Sequence, residues 1–185
     1  GEDASSEIKL TLGNIRTIQV NVMGEVKVPG TYAMSSFSNM LHAIYRAGGV
    51  NELGTLREIK LFRNGKLKAS ADLYEFMMDG NAPDEITLEE GDLIIVSPYK
   101  NLVDIDGSVK RPMAYELKEG ETVRDLLDYA GGFAGDAYKS NIRVVRQNGA
   151  EYQVFTVETP QYDEFVMMDG DLVRSEEHTS ELQSP

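Results

Sequence analysis

The chain has 185 residues, 18 Lys and Arg against 31 Asp and Glu for a formal charge of −13, and neither Cys nor Trp. That length makes one large domain or two of modest size, and 41% hydrophobic with 26% charged residues is an ordinary globular composition. The missing cysteine excludes disulfides, thiolate metal sites, iron–sulfur clusters and cysteine nucleophiles, and an acidic chain with no basic run denser than Lys110-Arg111 has no stripe for nucleic acid.

The N-terminal stretch Gly1–Glu7 is acidic and polar where a secretion signal is basic and then apolar, and the chain opens without methionine, as a fragment would. From Arg16 onward the sequence repeats. Gly24, Val26, Pro29 and Tyr32 recur as Gly107, Val109, Pro112 and Tyr115, and Ala47-Gly48-Gly49 recurs as Ala130-Gly131-Gly132, all at an offset of 83. Asn64-Gly65 recurs as Asn148-Gly149, and Gly91-Asp92-Leu93 as Gly170-Asp171-Leu172, so short indels separate the copies and belong in loops.

Each copy has the same order of elements. Alternation over Thr17–Val22 predicts a strand, and Gly30–Met34 a second one after the proline turn. Phe37, Met40, Leu41, Ile44 and Tyr45 form a helical stripe after the capping candidates Ser35 and Ser36, and Gly48 stops it. Strands Glu58–Arg63 and Lys66–Ala71 flank the Asn-Gly turn, and Leu93–Val96 closes the copy. In the second copy the strands are Leu102–Ile105 and Met113–Leu117. Thr122 then caps a helix with the stripe Val123, Leu126, Leu127, Ala130, followed by Arg143–Arg146 and Glu151–Val157. The fold class expected is α+β: two tandem β-grasp domains, each a small mixed sheet with one covering helix, over 16–98 and 99–173 after a leading segment 1–15. The linker Pro98–Asn101 is too short for free motion and predicts a fixed relation between the domains.

The segments Val20–Tyr32, Tyr45–Gly49, Leu88–Val96 and Gly107–Pro112 resemble the soluble-ligand-binding β-grasp (SLBB) domains of polysaccharide export outer-membrane proteins. The resemblance implies a structural, non-enzymatic subunit of a capsular or extracellular polysaccharide export channel. Its SLBB domains would pack laterally into a homo-oligomeric ring at the periplasmic face of the outer membrane, with polysaccharide passing through and an inner-membrane polysaccharide co-polymerase as partner. No cofactor is implied. The alternative reading is a monomeric carbohydrate- or small-ligand-binding module.

The candidate residues for ligand or subunit contact are Gly24, Pro29, Tyr32, Gly107, Lys110, Arg111, Pro112 and Tyr115. The same Gly-x-Val-x-x-Pro pattern also reads as a turn the fold needs, its Gly supplying φ > 0 and its Pro ending pairing. Tyr32, Tyr74, Tyr99, Tyr115 and Tyr138 offer faces on which sugars stack, or serve as core. No catalytic or metal set emerges. His42 falls off the helical stripe, Gly-Asp at a strand start reads as a turn bonding its own backbone, and Glu89-Glu90, Asp104/Asp106 and Asp169/Asp171 lack a third clustered ligand. Met77-Met78 and Met167-Met168 read as filler, and the Gly-Gly pairs end helices rather than the chain, unlike a ubiquitin-like carrier.

The last twelve residues, from Arg174 and including His178, show neither alternation nor stripe, and read in frame as the translation of a sequencing-library adapter rather than as natural sequence. On that reading the closing strand of the second copy is truncated at Val173. The counterparts of Ile95 and Val96 become Arg174 and Ser175, which predicts a weaker second domain, frayed at its end.

Overall fold

A computed structural model describes residues 16–80, 86–135 and 137–176; the leading segment 1–15 and the tail from 177, with His178, lie outside the described residues. The first domain contains β1 (Thr17–Gly24), β2 (Gly30–Ser35), α1 (Met40–Arg46), β3 (Gly54–Arg63), β4 (Lys66–Ala71), α2 (Leu73–Asp79) and β5 (Leu93–Pro98). The second contains β6 (Leu102–Gly107), β7 (Met113–Glu116), α3 (Val123–Tyr129), β8 (Asn141–Asn148), β9 (Glu151–Glu158) and β10 (Leu172–Ser175). The two five-stranded sheets have the same order, β2-β1-β5-β3-β4 and β7-β6-β10-β8-β9. In each, the first and last strands of the copy pair in parallel at the centre and every other pairing is antiparallel. Two tandem α+β domains of one design are therefore present.

The alternation that predicts the strands also builds the cores. Ile18, Val20 and Val22 of β1 share one buried sheet face with Ile59, Leu61, Ile94 and Val96, while Val103, Ile105, Ile142, Val144 and Val173 fill the same places in the second domain. In α3 the predicted stripe is the buried one, with Val123, Leu126 and Ala130 at 0% exposure. In α1 it is not. Asn39, rather than Ser35 or Ser36, caps the helix: its Oδ1 accepts from the His42 amide at 3.1 Å while His42 Nδ1 accepts from the Asn39 amide at 3.2 Å. That start turns Met40, Ala43, Ile44 and Ala47 inward and leaves Phe37 and Tyr45 exposed at 73% and 87%. The first domain also has a second helix, α2, which the expectation of one covering helix omits; seven residues after the Asp72 cap are too few to show a period.

The Gly-Asp turns carry a repeated lock. Asp92, fully buried, accepts Nε and Nη2 of Arg63 at 2.8 Å each and the Glu89 amide at 2.8 Å; Asp171, equally buried, accepts Nε and Nη2 of Arg146 at 2.8 and 2.7 Å and the Met168 amide at 2.9 Å. Each bidentate pair ties the last strand of its copy to the β3 or β8 hairpin.

The closing strand does not stop at Val173. Arg174 and Ser175 continue the ladder, pairing with Asp106 and Gly107 of β6. Strand pairing is a backbone property, so polar side chains do not interrupt it. Arg174 points outward, 3.5 Å from Asp106, and only Ser175, 2% exposed in the place of Val96, puts a hydroxyl where the first domain has a methyl pair. The Ser175 hydroxyl has one long bond, 3.5 Å to Ser108 O. Ser175→Val is expected to raise the urea midpoint by the equivalent of about 1–2 kcal/mol; a lower midpoint would show that the pocket at this position does not fit a branched side chain.

Candidate functional site

Two features repeat or converge in this chain: the glycine-proline turns and the junction between the domains. In the turns, Gly24 and Gly107 have φ of +86° and +85°, and a Cβ on them would lie 2.1 Å from the Val96 carbonyl oxygen and 1.9 Å from that of Ser175. No other residue type fits either position without displacing the last strand. Beyond the glycine the loop is stitched to the helix end: Lys27 and Val28 amides donate to Gly49 and Ala47 carbonyls at 3.0 and 2.9 Å, and Lys110 and Arg111 amides donate to Gly132 and Ala130 at 3.0 Å each. This contact is why the Gly-x-Val-x-x-Pro and Ala-Gly-Gly motifs recur together. The tyrosine closes the turn, Tyr32 OH donating to Val28 O and Tyr115 OH to Arg111 O, the latter at 2.9 Å. Gly24, Gly107, Tyr32 and Tyr115 thus have full structural duties. Pro29, Pro112, Lys110 and Arg111 are exposed. Arg111 reaches the domain junction, donating to Tyr129 O at 3.0 Å and lying 4.0 Å from Met78 Sδ.

The junction is built on Arg57 of β3. Alternation along β3 puts Thr55, Arg57, Ile59 and Leu61 on the buried face, so a guanidinium enters the interior in phase with the core. Its Nε donates to Asp72 at 3.1 Å, and Nη1 and Nη2 grip Glu121 at 3.0 and 2.9 Å. Nη1 also donates to Glu116 O at 3.0 Å, and Nη2 to Tyr129 OH at 3.1 Å. The rings of Tyr74 and Tyr129 flank it, with centroids 4.5 and 5.1 Å away. Every donor is used, and three of these partners, the Glu116 carbonyl, Glu121 and Tyr129, belong to the second domain.

Around this centre Glu116 accepts Thr55 Oγ1 and the Leu56 amide, both at 2.6 Å, and its own amide donates to Tyr74 OH at 2.9 Å. Lys118 lies 2.6 Å from Asp72 and 3.4 Å from Glu75. Tyr74 and Leu56 of the first domain pack into the core of the second, which makes the junction apolar as well as ionic. Burial opposes the Arg57 charge, but the Glu121 carboxylate, with Tyr129 and Asp72, raises its already high pKa. Burial likewise pushes the Asp72 carboxyl up, and the Lys118 and Arg57 cations more than offset it, so Asp72 titrates below the ordinary aspartate range. Burial and the Glu121 bond raise the Tyr129 phenol.

Beside the junction a cleft of about 850 Å³ runs between the domains. Its lining includes Lys60 and Lys100, both directed to one carboxylate, Glu58, at 3.2 and 3.9 Å. Asn101 of the linker also lines it, and the Asn101 Oδ1 is buried with no hydrogen-bond partner among the described residues. The linker is fixed at both ends, Tyr99 N donating to Leu53 O at 2.8 Å and Leu117 N to Asn101 O at 2.9 Å. Of the tyrosines considered as sugar platforms, Tyr74 and Tyr115 are buried and Tyr32 and Tyr99 half-buried, while Tyr138 is 38% exposed.

The carboxylate pairs have structural partners or lie on the surface. Glu90 and Asp169 accept the Gln19 and Leu102 amides at 3.0 and 2.8 Å, and Asp104 and Asp106 are exposed. No group of three or more metal-capable side chains occurs among the described residues, and no helix among them is long and apolar enough to cross a membrane. Sequence reasoning missed the Arg57 network altogether. The signal was a charged residue in phase with Ile59 and Leu61 on an alternating strand.

Comparison with known proteins agrees with this architecture. SLBB domain family models match residues 18–96 and 102–155, one on each repeat, and the chain belongs to the SLBB domain family. Two relatives from Escherichia coli, each described as polysialic acid transport protein KpsD, are 27% identical over 136 residues, covering 72% of this chain. The chain spans about a quarter of their length, 24%.

Proposed function

We propose that this chain is a structural subunit of a polysaccharide export apparatus, acting without catalysis at the periplasmic face of the outer membrane. Copies of its paired SLBB domains pack laterally into a ring through which glycan passes, and an inner-membrane polysaccharide co-polymerase is the expected partner. The observation that carries this reading is the pairing of two SLBB domains through one buried arginine, in a chain similar to a protein described as a polysialic acid transport protein. A passive conduit needs staves that hold their shape under load, and a junction in which every Arg57 donor is matched supplies that. The charge of −13 suits a wall that repels an anionic polymer or holds a cation atmosphere within the lumen.

The cleft favours a second reading, a glycan-binding module. At its wall Lys60 and Lys100 converge on the single carboxylate of Glu58, and the unpaired Asn101 Oδ1 awaits a donor such as a sugar hydroxyl. Light scattering of the whole chain across concentration separates the two. Mass that grows with concentration toward a closed ring supports the conduit. A strict monomer whose Lys60, Lys100 and Asn101 NMR signals shift with an acidic oligosaccharide supports the binding module instead.

A further inference from the structure

Each sheet buries one face under its helix, and the alternation that puts Leu61, Ile94 and Val22 in the first core puts their neighbours Phe62, Leu93 and Asn21 on the opposite face. Strand register sets these in a row across four strands. Leu67 of β4 lies opposite Phe62 of β3, Phe62 opposite Leu93 of β5, and Leu93 opposite Asn21 of β1. The second sheet repeats the row position for position, with Val154 of β9, Val145 of β8, Leu172 of β10 and Asp104 of β6.

Three apolar side chains in line on an outer sheet face are thus built twice. None of the six belongs to either core. Leu67, Leu172 and Val154 are 56%, 50% and 61% exposed, and Phe62, Leu93 and Val145 are half-buried between their neighbours. Single exposed apolar residues are ordinary on a protein surface, but a contiguous row presented by both domains is a surface on which another sheet packs.

The rows differ in charge, and the difference names the occupant. Lys66 and Lys68, both exposed, flank Leu67 at the edge of the first row, and neither has an ion pair among the described residues. In the second row Val154 lies between Gln153 and Phe155, and the charge is at the other end. There Asp104, without a cation among the described residues, holds the place that Asn21 holds in the first. The nearby cations of that face, Arg143 and Arg174, are engaged by Glu176 and Asp106 at 3.0 and 3.5 Å. When two sheets stack about 10 Å apart with their rows in opposite order, Leu67 and its lysines come over Asp104 while Phe62 and Leu93 cover Leu172 and Val145. A row stacked on another copy of itself lacks this match, because the lysines then meet Asn21 and Asp104 meets Val154. The first domain of one copy therefore fits the second domain of another.

We propose that these two faces are the docking surfaces by which copies of this chain join, with the row of Leu67, Phe62 and Leu93 on the row of Leu172, Val145 and Val154 of the next copy, and Lys66 and Lys68 against Asp104. The assignment rests on the ring reading above and names the surfaces which that reading needs; contact between two different faces of one chain is the heterologous kind that closes a ring or extends a filament. The test is sedimentation velocity of the whole chain across concentration, with Leu67→Glu and Val154→Glu variants whose folding is checked by urea midpoint. The unaltered chain is expected to grow in mass with concentration, and each variant to self-associate about tenfold more weakly or worse. An equimolar mixture of the two variants is expected to form a dimer and nothing larger, because each supplies the face the other lacks. Lys66→Glu combined with Lys68→Glu should also weaken association, and Asp104→Lys in the same chain should restore it. Association that survives both Leu67→Glu and Val154→Glu overturns the assignment and leaves the ring reading standing on other surfaces. A mixture of those variants that stays monomeric overturns the assignment too. An unaltered chain that is monomeric at every concentration overturns the assignment and the ring reading together.

Discussion

Arg57→Ala is expected to cost the chain about 3–5 kcal/mol and to separate the unfolding of its two domains. The size follows from what remains: Glu121 at 17% side-chain exposure loses its cation, Asp72 at 7% keeps Lys118 alone, and the Glu116 carbonyl and Tyr129 OH lose a donor. A charge left uncompensated in the interior costs more than the intact pair contributed, so truncating one partner is the severe case. Arg57→Lys should recover only part of the loss, because a single ammonium cannot serve Asp72, Glu121 and the Glu116 carbonyl from one position. Arg63→Ala is the matched control. It strands the fully buried Asp92 within one domain and is expected to weaken that domain without separating the two. Equilibrium urea unfolding followed by domain-resolved NMR signals reads both effects. A single coincident transition in Arg57→Ala, with a loss below about 1 kcal/mol, would mean that the apolar contacts of Tyr74 and Leu56 hold the domains together without the ion network.

Gly107→Ala and Gly24→Ala form the second large expected effect, about 2–4 kcal/mol each. Positive φ alone costs a side-chain residue about 1–2 kcal/mol, and here the new methyl also meets a backbone carbonyl at 1.9 or 2.1 Å in the central parallel pair of its sheet. Gly49→Ala separates the two contributions, since Gly49 has φ +90° with nothing within 4 Å of its Cβ position. Its cost is expected to be the conformational part alone. If Gly24→Ala proves no worse than Gly49→Ala by urea midpoint, the close approach of β5 is not what fixes the glycine.

What the sequence discloses and what it hides follow from the range of the interactions. The repeat, the strand alternation, the α3 stripe and the Gly-Asp turns rest on near neighbours, and each has the place the residues imply. The start of α1 depends on a competition among Ser35, Ser36 and Asn39, decided by His42, which supplies the reciprocal acceptor. A stripe drawn from Phe37 therefore counts two exposed aromatics as core. The junction is harder still to foresee, because Arg57 meets Glu116, Glu121 and Tyr129 from 59 to 72 positions away. Only its phase on β3 marks it in advance. The tyrosines of the motif illustrate the same point: their residue type fits sugar stacking, and the bond back to the turn four residues earlier is a structural role that residue type alone does not disclose.

The Arg57 junction makes the two SLBB domains move as one body. Residual dipolar couplings of backbone amides, fitted separately for 16–98 and 102–175, test this most directly. One alignment tensor, equal in magnitude and orientation for both domains, is expected in the unaltered chain, and two different tensors in Arg57→Ala. Distinct tensors in the unaltered chain would contradict it, and would make the cleft beside Asn101 a moving joint rather than a fixed wall.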